Sequence, residues 1–197
     1  MGLGKAAVVG VLAALPVSRS TAADEPAQWS LGLATRKDRA AEVMAVDDSR
    51  PVETWATLFN VHTSEAVPLS SSEPNLERFS DALADRFTGA RIALDARLLE
   101  LLRQVALRNP GARIELVSGY RSPKFNEMLR KKGHRVASHS QHSLGHAVDF
   151  RVIGLTPGEV KKILLGLGWE GGIGQYDGWT DRFVHADVGS KRAWYER

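Results

Sequence analysis

The chain has 197 residues, 25% of them charged and 43% hydrophobic, with a formal net charge of +3 and no cysteine. That length suits one domain with a real core, since single domains cluster at roughly 100 to 150 residues, and no apolar run approaches the roughly 20 residues that span a bilayer. Without cysteine there are no disulfides, no thiol nucleophile and no thiolate ligands, so any metal site must be built from histidines and carboxylates.

In chain order, residues 1–23 read as a secretory signal peptide. Lys5 supplies the positive end, Ala6 to Val17 is apolar apart from Gly10 and Pro16, and Ser20-Thr21-Ala22-Ala23 offers small residues for cleavage. Export to the periplasm is the expectation, with no stable membrane span after cleavage and no lipid anchor, because no cysteine follows. Lys5 and Arg19 leave with the signal, taking two of the three net positive charges, so a nucleic-acid partner is not implied. Residues 24–54 lack periodicity and read as an irregular leader to a single domain over 55–197.

Trp55 to Val61 has strand composition, and His62-Thr63-Ser64-Glu65 followed by Ala66-Val67-Pro68 reads as a turn and return strand. Ser70-Ser71-Ser72 marks a loop. Leu98, Leu101, Leu102 and Val105 recur at helical spacing, with Asp95 to cap the start and Asn109-Pro110-Gly111 to stop it. Arg113 to Val117 alternates as a strand; Ser122 and Pro123 then open a helix to about Lys132, stopped by Gly133. Thr156-Pro157-Gly158-Glu159 is a capping box for a helix through Leu165. Strands and helices that mix without regular alternation predict an α+β domain, a small antiparallel sheet with flanking helices.

The chemistry concentrates in Ser140 to Val152. His142 and Asp149 are separated by an odd number of residues, so a straight strand would put them on opposite faces. The chain must bend between them, and Gly145 permits it because glycine reaches positive φ without steric cost. Beyond the bend Val148, Phe150 and Val152 point into a core while Ala147, Asp149 and Arg151 face the other way. Downstream, Phe183, His185 and Asp187 share one face of an extended segment, opposite Val184, Ala186 and Val188. Two imidazoles and a carboxylate, His142, His185 and Asp149, form with an open fourth position the donor set of catalytic zinc.

Ser140-x-His142-x-x-Gly145-x-Ala147-x-Asp149 resembles the signature of the zinc peptidases of peptidoglycan known as the LAS or hedgehog-like group. Leu58 to Glu65, Ser118 to Ser122, Gly171 to Tyr176 and Phe183 to Gly189 further resemble its MepK-like subgroup of murein endopeptidases, over roughly Trp55 to Trp194. The resemblance implies a hedgehog/D-Ala-D-Ala-peptidase-like fold and a Zn2+ ion on His142, Asp149 and His185. It implies peptidoglycan stem peptides as substrate, cut at their cross-links; a monomer is the expectation for the chain. Arg121 matches an arginine that faces the scissile carbonyl, although it could instead tie down its turn by pairing with an acid. Ser140 and Tyr176 match positions beside the substrate.

One departure bears on mechanism. Relatives carry a glutamate three residues before the last ligand, or a histidine two before it, as general base; here Arg182 and Phe183 stand there. Asp187 is the first substitute and Asp181 the second, while Asp187 could equally orient His185. The missing glutamate keeps open a different class, an exported zinc-containing module that binds peptidoglycan or a protein without hydrolysing it. Other wall chemistries lack their motifs: there is no Ser-x-x-Lys and no His-Glu-x-x-His. His62, His134, His139 and His146 are expected to be loop or surface histidines, and Trp169, Trp179 and Trp194 core or rim.

Overall fold

The computed structural model describes residues 53–133, 140–179 and 181–197; the expected signal and nearly all of the leader, with His134 and His139, lie outside them. Among the described residues, strands β1 (Ala56–Asn60) and β2 (Ala66–Leu69) form the expected hairpin. Then come α1 (Leu76–Ala82), α2 (Ala96–Arg108), β3 (Arg113–Ser118) and α3 (Pro123–Lys131). The chain continues through β4 (Ala147–Val152), α4 (Pro157–Gly166), β5 (Gly172–Asp177), β6 (Arg182–Asp187) and β7 (Arg192–Glu196).

The α+β class is as expected, but the sheet is neither small nor purely antiparallel. Its order is β2-β1-β3-β4-β6-β5-β7, and β1 pairs β3, and β5 pairs β7, in parallel. The first parallel pair is possible because the chain between β1 and β3 is long enough to hold α1 and α2 and return to the starting edge. The second arises because the link from β6 to β7 crosses the end of β5, so that Gly172 faces both Asp187 and Arg192.

Capping chemistry fixes the helix starts. Asp95 accepts from Arg97 N, Ser122 from Phe125 N, and Thr156 and Glu159 bond reciprocally. One sheet face carries Leu58, Ile114, Leu116, Val148, Phe150 and Val184, nearly all solvent removed, and packs against the buried leucines of α2 and Val160 and Leu164 of α4. Burying each such side chain contributes roughly 1.5–3 kcal/mol, which commits the alternate residues of β4 and β6 to the opposite face. Asp95→Ala is expected to cost about 1 kcal/mol through the lost cap, read as a Tm fall of about 3 °C by calorimetry. The loop that carries His142 should keep its place, because the bond that ties α2 to it, Asp95 N–H to Gly145 O at 2.9 Å, is backbone to backbone.

Candidate metal centre

The turn that carries His142 is held at both ends. Ser140 caps a short 3-10 turn, Gln141–Leu144, by accepting from His142 N, and His142 O receives Arg121 N–H at 3.2 Å. Gly145 then takes φ 71°, and a Cβ there would stand 2.8 Å from Ala93 O, so this bend requires glycine. The chain enters β4 with Asp149 directly opposite His185 of β6. The same row of the sheet begins at Ser118 and continues through Gly174 to Trp194. Because Gly174 has no side chain, the Trp194 indole lies across β5 and reaches the His185 ring, with centroids 5.3 Å apart.

Three buried atoms meet on this face. His142 Nε2 is 3.2 Å from both His185 Nδ1 and Asp149 Oδ1, which are themselves 2.8 Å apart. Donors placed 2.0–2.1 Å from a tetrahedral zinc would lie about 3.3 Å from one another, so the triangle has nearly the size of three tetrahedral corners. The outer partners decide which atoms hold protons. His142 Nδ1 donates to Gly119 O at 2.6 Å and His185 Nε2 to Asp187 Oδ2 at 2.9 Å. In neutral rings this directs the Nε2 lone pair of His142 and the Nδ1 lone pair of His185 at the same point as an Asp149 oxygen. Three lone pairs in contact repel unless a cation lies among them, so the donor set fits a metal.

Electrostatics agree with that demand for positive charge. Burial pushes His142 down to about 4, leaving a neutral ring at physiological pH. Burial alone would raise Asp149, yet its contacts with His142, Arg121 and His185 outweigh it and hold the carboxyl well below its ordinary range. Burial likewise opposes charge on His185, but the acceptor carboxylates of Asp149 and Asp187 beside its ring nitrogens prevail and raise its pKa.

The centre opens into a cavity of about 500 Å³ lined by Ser140, Tyr176, Arg121 and Asp181 among others. Arg121 Nε donates to Ser118 Oγ at 2.9 Å and Nη2 pairs with Asp149 Oδ2, so Asp149 turns only its other oxygen to the triangle. Asp187 does not line the cavity. It is fully buried behind the His185 ring and accepts from Arg192 Nη2 at 2.6 Å, Gly189 N at 2.8 Å and Gly172 N at 3.3 Å, besides His185. Burial would raise its carboxyl, but these bonds bring it down to about 2. The Tyr176 hydroxyl accepts from Trp194 Nε1 at 3.1 Å, and its ring stacks on Phe183 at 4.5 Å.

Comparison with known proteins follows this geometry. The family profile described as "Peptidoglycan L,D-endopeptidase MepK" matches residues 49–194. The chain belongs to this family. The probable peptidoglycan L,D-endopeptidase MepK of Haemophilus influenzae is 31% identical over 156 residues, covering 74% of this chain and 81% of that protein. The Escherichia coli K12 and Shigella flexneri peptidoglycan L,D-endopeptidases MepK are each 31% identical over 156 residues, covering 74% of this chain and 82% of theirs. No solved structure matches significantly.

Within this MepK family chain, several parts of the site were not visible in the sequence. The Gly119 carbonyl is a backbone contact and leaves no residue signal. Trp194 was expected in the core or rim, yet it packs on His185 and lines the cavity. Arg192 grips Asp187, and its alternation with Trp194 would have marked a shared face had β7 been recognised as a strand. Trp179 is fully exposed, and Trp169 is half-buried with its indole N–H on Asp187 O.

Proposed function

We propose that the chain is an exported zinc-dependent endopeptidase that hydrolyses the amide bond between an L- and a D-configured centre in peptidoglycan stem peptides. The observation that carries this is the triangle of His142 Nε2, Asp149 Oδ1 and His185 Nδ1 in a chain of the MepK family. A mixed nitrogen and oxygen donor set of this size and low coordination suits zinc better than calcium or magnesium, which require six or more oxygens. When bound, zinc supplies a Lewis acid that polarises a carbonyl and lowers the pKa of water to about 7.

The chain's own groups do the rest. Asp187 fixes His185 with its proton on Nε2 and its lone pair on Nδ1. Arg121 holds Asp149 through Nη2 and keeps Nη1 for the substrate carbonyl as negative charge grows on its oxygen. Tyr176, whose oxygen already accepts from Trp194, directs its own O–H into the cavity, where with Ser140 it contacts the peptide. Because the Asp187 oxygens are committed to the far side of His185, the proton acceptor is assigned to Asp181, which lines the cavity. The signal peptide over residues 1–23 would deliver the protein to the periplasm, where its substrate lies.

Defined muropeptides digested with zinc-loaded protein, with and without chelator, and read by mass spectrometry, test this. New fragments cut at an L,D bond and abolished by the chelator are expected. Tight binding without any fragment would overturn hydrolysis in favour of a binding module. Asp181→Asn should lower kcat about 100-fold with metal content intact; unchanged turnover would transfer the proton role to Glu196, the other non-ligating acid on the cavity wall.

A further inference from the structure

A second cavity, of about 270 Å³, adjoins the metal cavity, and the two share Arg86, Val117 and Ser118 in their walls. Arg86 therefore stands where a peptide bound at the metal would pass from one to the other. Its place is fixed by its neighbour. Asp85 is buried and its carboxylate accepts from Phe87 N and Thr88 N, both at 2.8 Å, and from Ser122 N at the start of α3. The backbone at residue 86 is thus pinned to the loop that carries Arg121.

The side chain is positioned as well. Its guanidinium lies 5.2 Å from the centroid of the buried Phe125 ring, close enough for cation–π attraction. Arg86 Nη1 is 3.0 Å from His62 Nε2, and that imidazole nitrogen is itself 2.9 Å from Val117 O. One ring nitrogen either donates or accepts, so at most one of the five Arg86 N–H groups is satisfied here. No carboxylate pairs with Arg86 among the described residues. By contrast Arg121 and Arg192, which line the same metal cavity, each already carry a carboxylate partner, Asp149 and Asp187. Three acids line the second cavity with it: Asp81 is engaged with Arg91 and Asp85 with backbone amides, and Glu65 makes no ion pair with Arg86. A fixed, always-charged fork with about four open donors matches a carboxylate.

We propose that Arg86 forms an anionic subsite that binds a free carboxylate of the substrate peptide, beyond the scissile bond on the side of the second cavity. The inference rests on the wall-peptidase reading for its substrate. Peptides joined through side-chain amides keep carboxylates that ordinary chains spend on the backbone, so such a subsite selects wall peptides over linear protein.

The test uses two stem peptides that differ only in whether that carboxylate is free or amidated. For the wild type, KM should be about tenfold lower on the acid than on the amide, the scale of one charge-assisted contact. Arg86→Gln should erase that preference by raising KM for the acid, and Arg86→Lys should restore only part of it, lacking the fork. Equal effects of Arg86→Gln on both peptides, or none on either, would overturn the proposal. Calorimetry with metal-stripped protein gives a second readout, where Arg86→Gln should weaken binding of the acid about tenfold and leave the amide in place. Undiminished binding of the acid by Arg86→Gln refutes the subsite whatever the activity, whereas a loaded wild type that binds both peptides and cuts neither refutes only the hydrolase reading.

Discussion

Replacing His142 with alanine is expected to strip the metal and lower kcat/KM on muropeptides by at least about 1,000-fold, since both Lewis acid and activated water depend on the ion. The site offers three donors, and removal of one leaves His185 Nδ1 and Asp149 Oδ1, too few to hold a catalytic ion against solvent. Two further losses accompany it. Gly119 O loses the proton it accepts from His142 Nδ1, and a ring that is only 2% exposed is replaced by a void. Together these should cost about 2–3 kcal/mol of stability, which a domain of this size can bear while remaining folded. The measurement is metal content after dialysis, circular dichroism for the fold, and turnover on a defined muropeptide. A folded variant that still holds one equivalent of tightly bound zinc would show that the ion sits elsewhere.

The meeting of His142, Asp149 and His185 was legible because their positions are dictated by local rules. Gly145 was needed to turn His142 onto the face of Asp149, and it adopts φ 71° there. The alternation of Val184 and Ala186 inward forced His185 outward, where it meets Asp149 across the ladder. Asp95, Ser122 with Pro123, and Thr156 with Glu159 announced their helices for the same reason: capping is chemistry within four residues. What escaped was decided over longer distances. Strand β5 contains Gly172 and Gly174, poor strand formers, and owes its extension to pairing with β6 and β7 on either side. Helix α1 has a cap, Asn75, but only seven residues in which to show periodicity. Trp194 lies two strands from His185 and reaches it over Gly174 on the strand between, a relation that exists only once the sheet is assembled.

Asp187→Asn separates the two roles that its position in the sequence left equal. The carboxylate is fully buried and accepts from His185, Gly172, Gly189 and twice from Arg192. An asparagine has one oxygen for these donors and turns an NH2 group toward the remainder, so Arg192 loses its counter-charge and at least one N–H faces another. A loss of about 1–3 kcal/mol in stability is expected from leaving buried donors without their acceptor, seen as a lower denaturation midpoint. The effect on the metal follows from tautomerism. If the amide nitrogen faces His185 Nε2, the ring must accept there and carry its proton on Nδ1, the atom that otherwise points its lone pair at Asp149 and His142. Metal affinity should then fall roughly 10- to 100-fold, measured by competition with a chelator, and activity should return as zinc is raised. A general base would behave in the opposite way: its loss would cut kcat at saturating zinc and leave the metal dissociation constant alone. Since the Asp187 oxygens lie behind the imidazole and outside the cavity, the first pattern is the one the site requires, and the second would mean that the carboxylate leaves Arg192 during turnover.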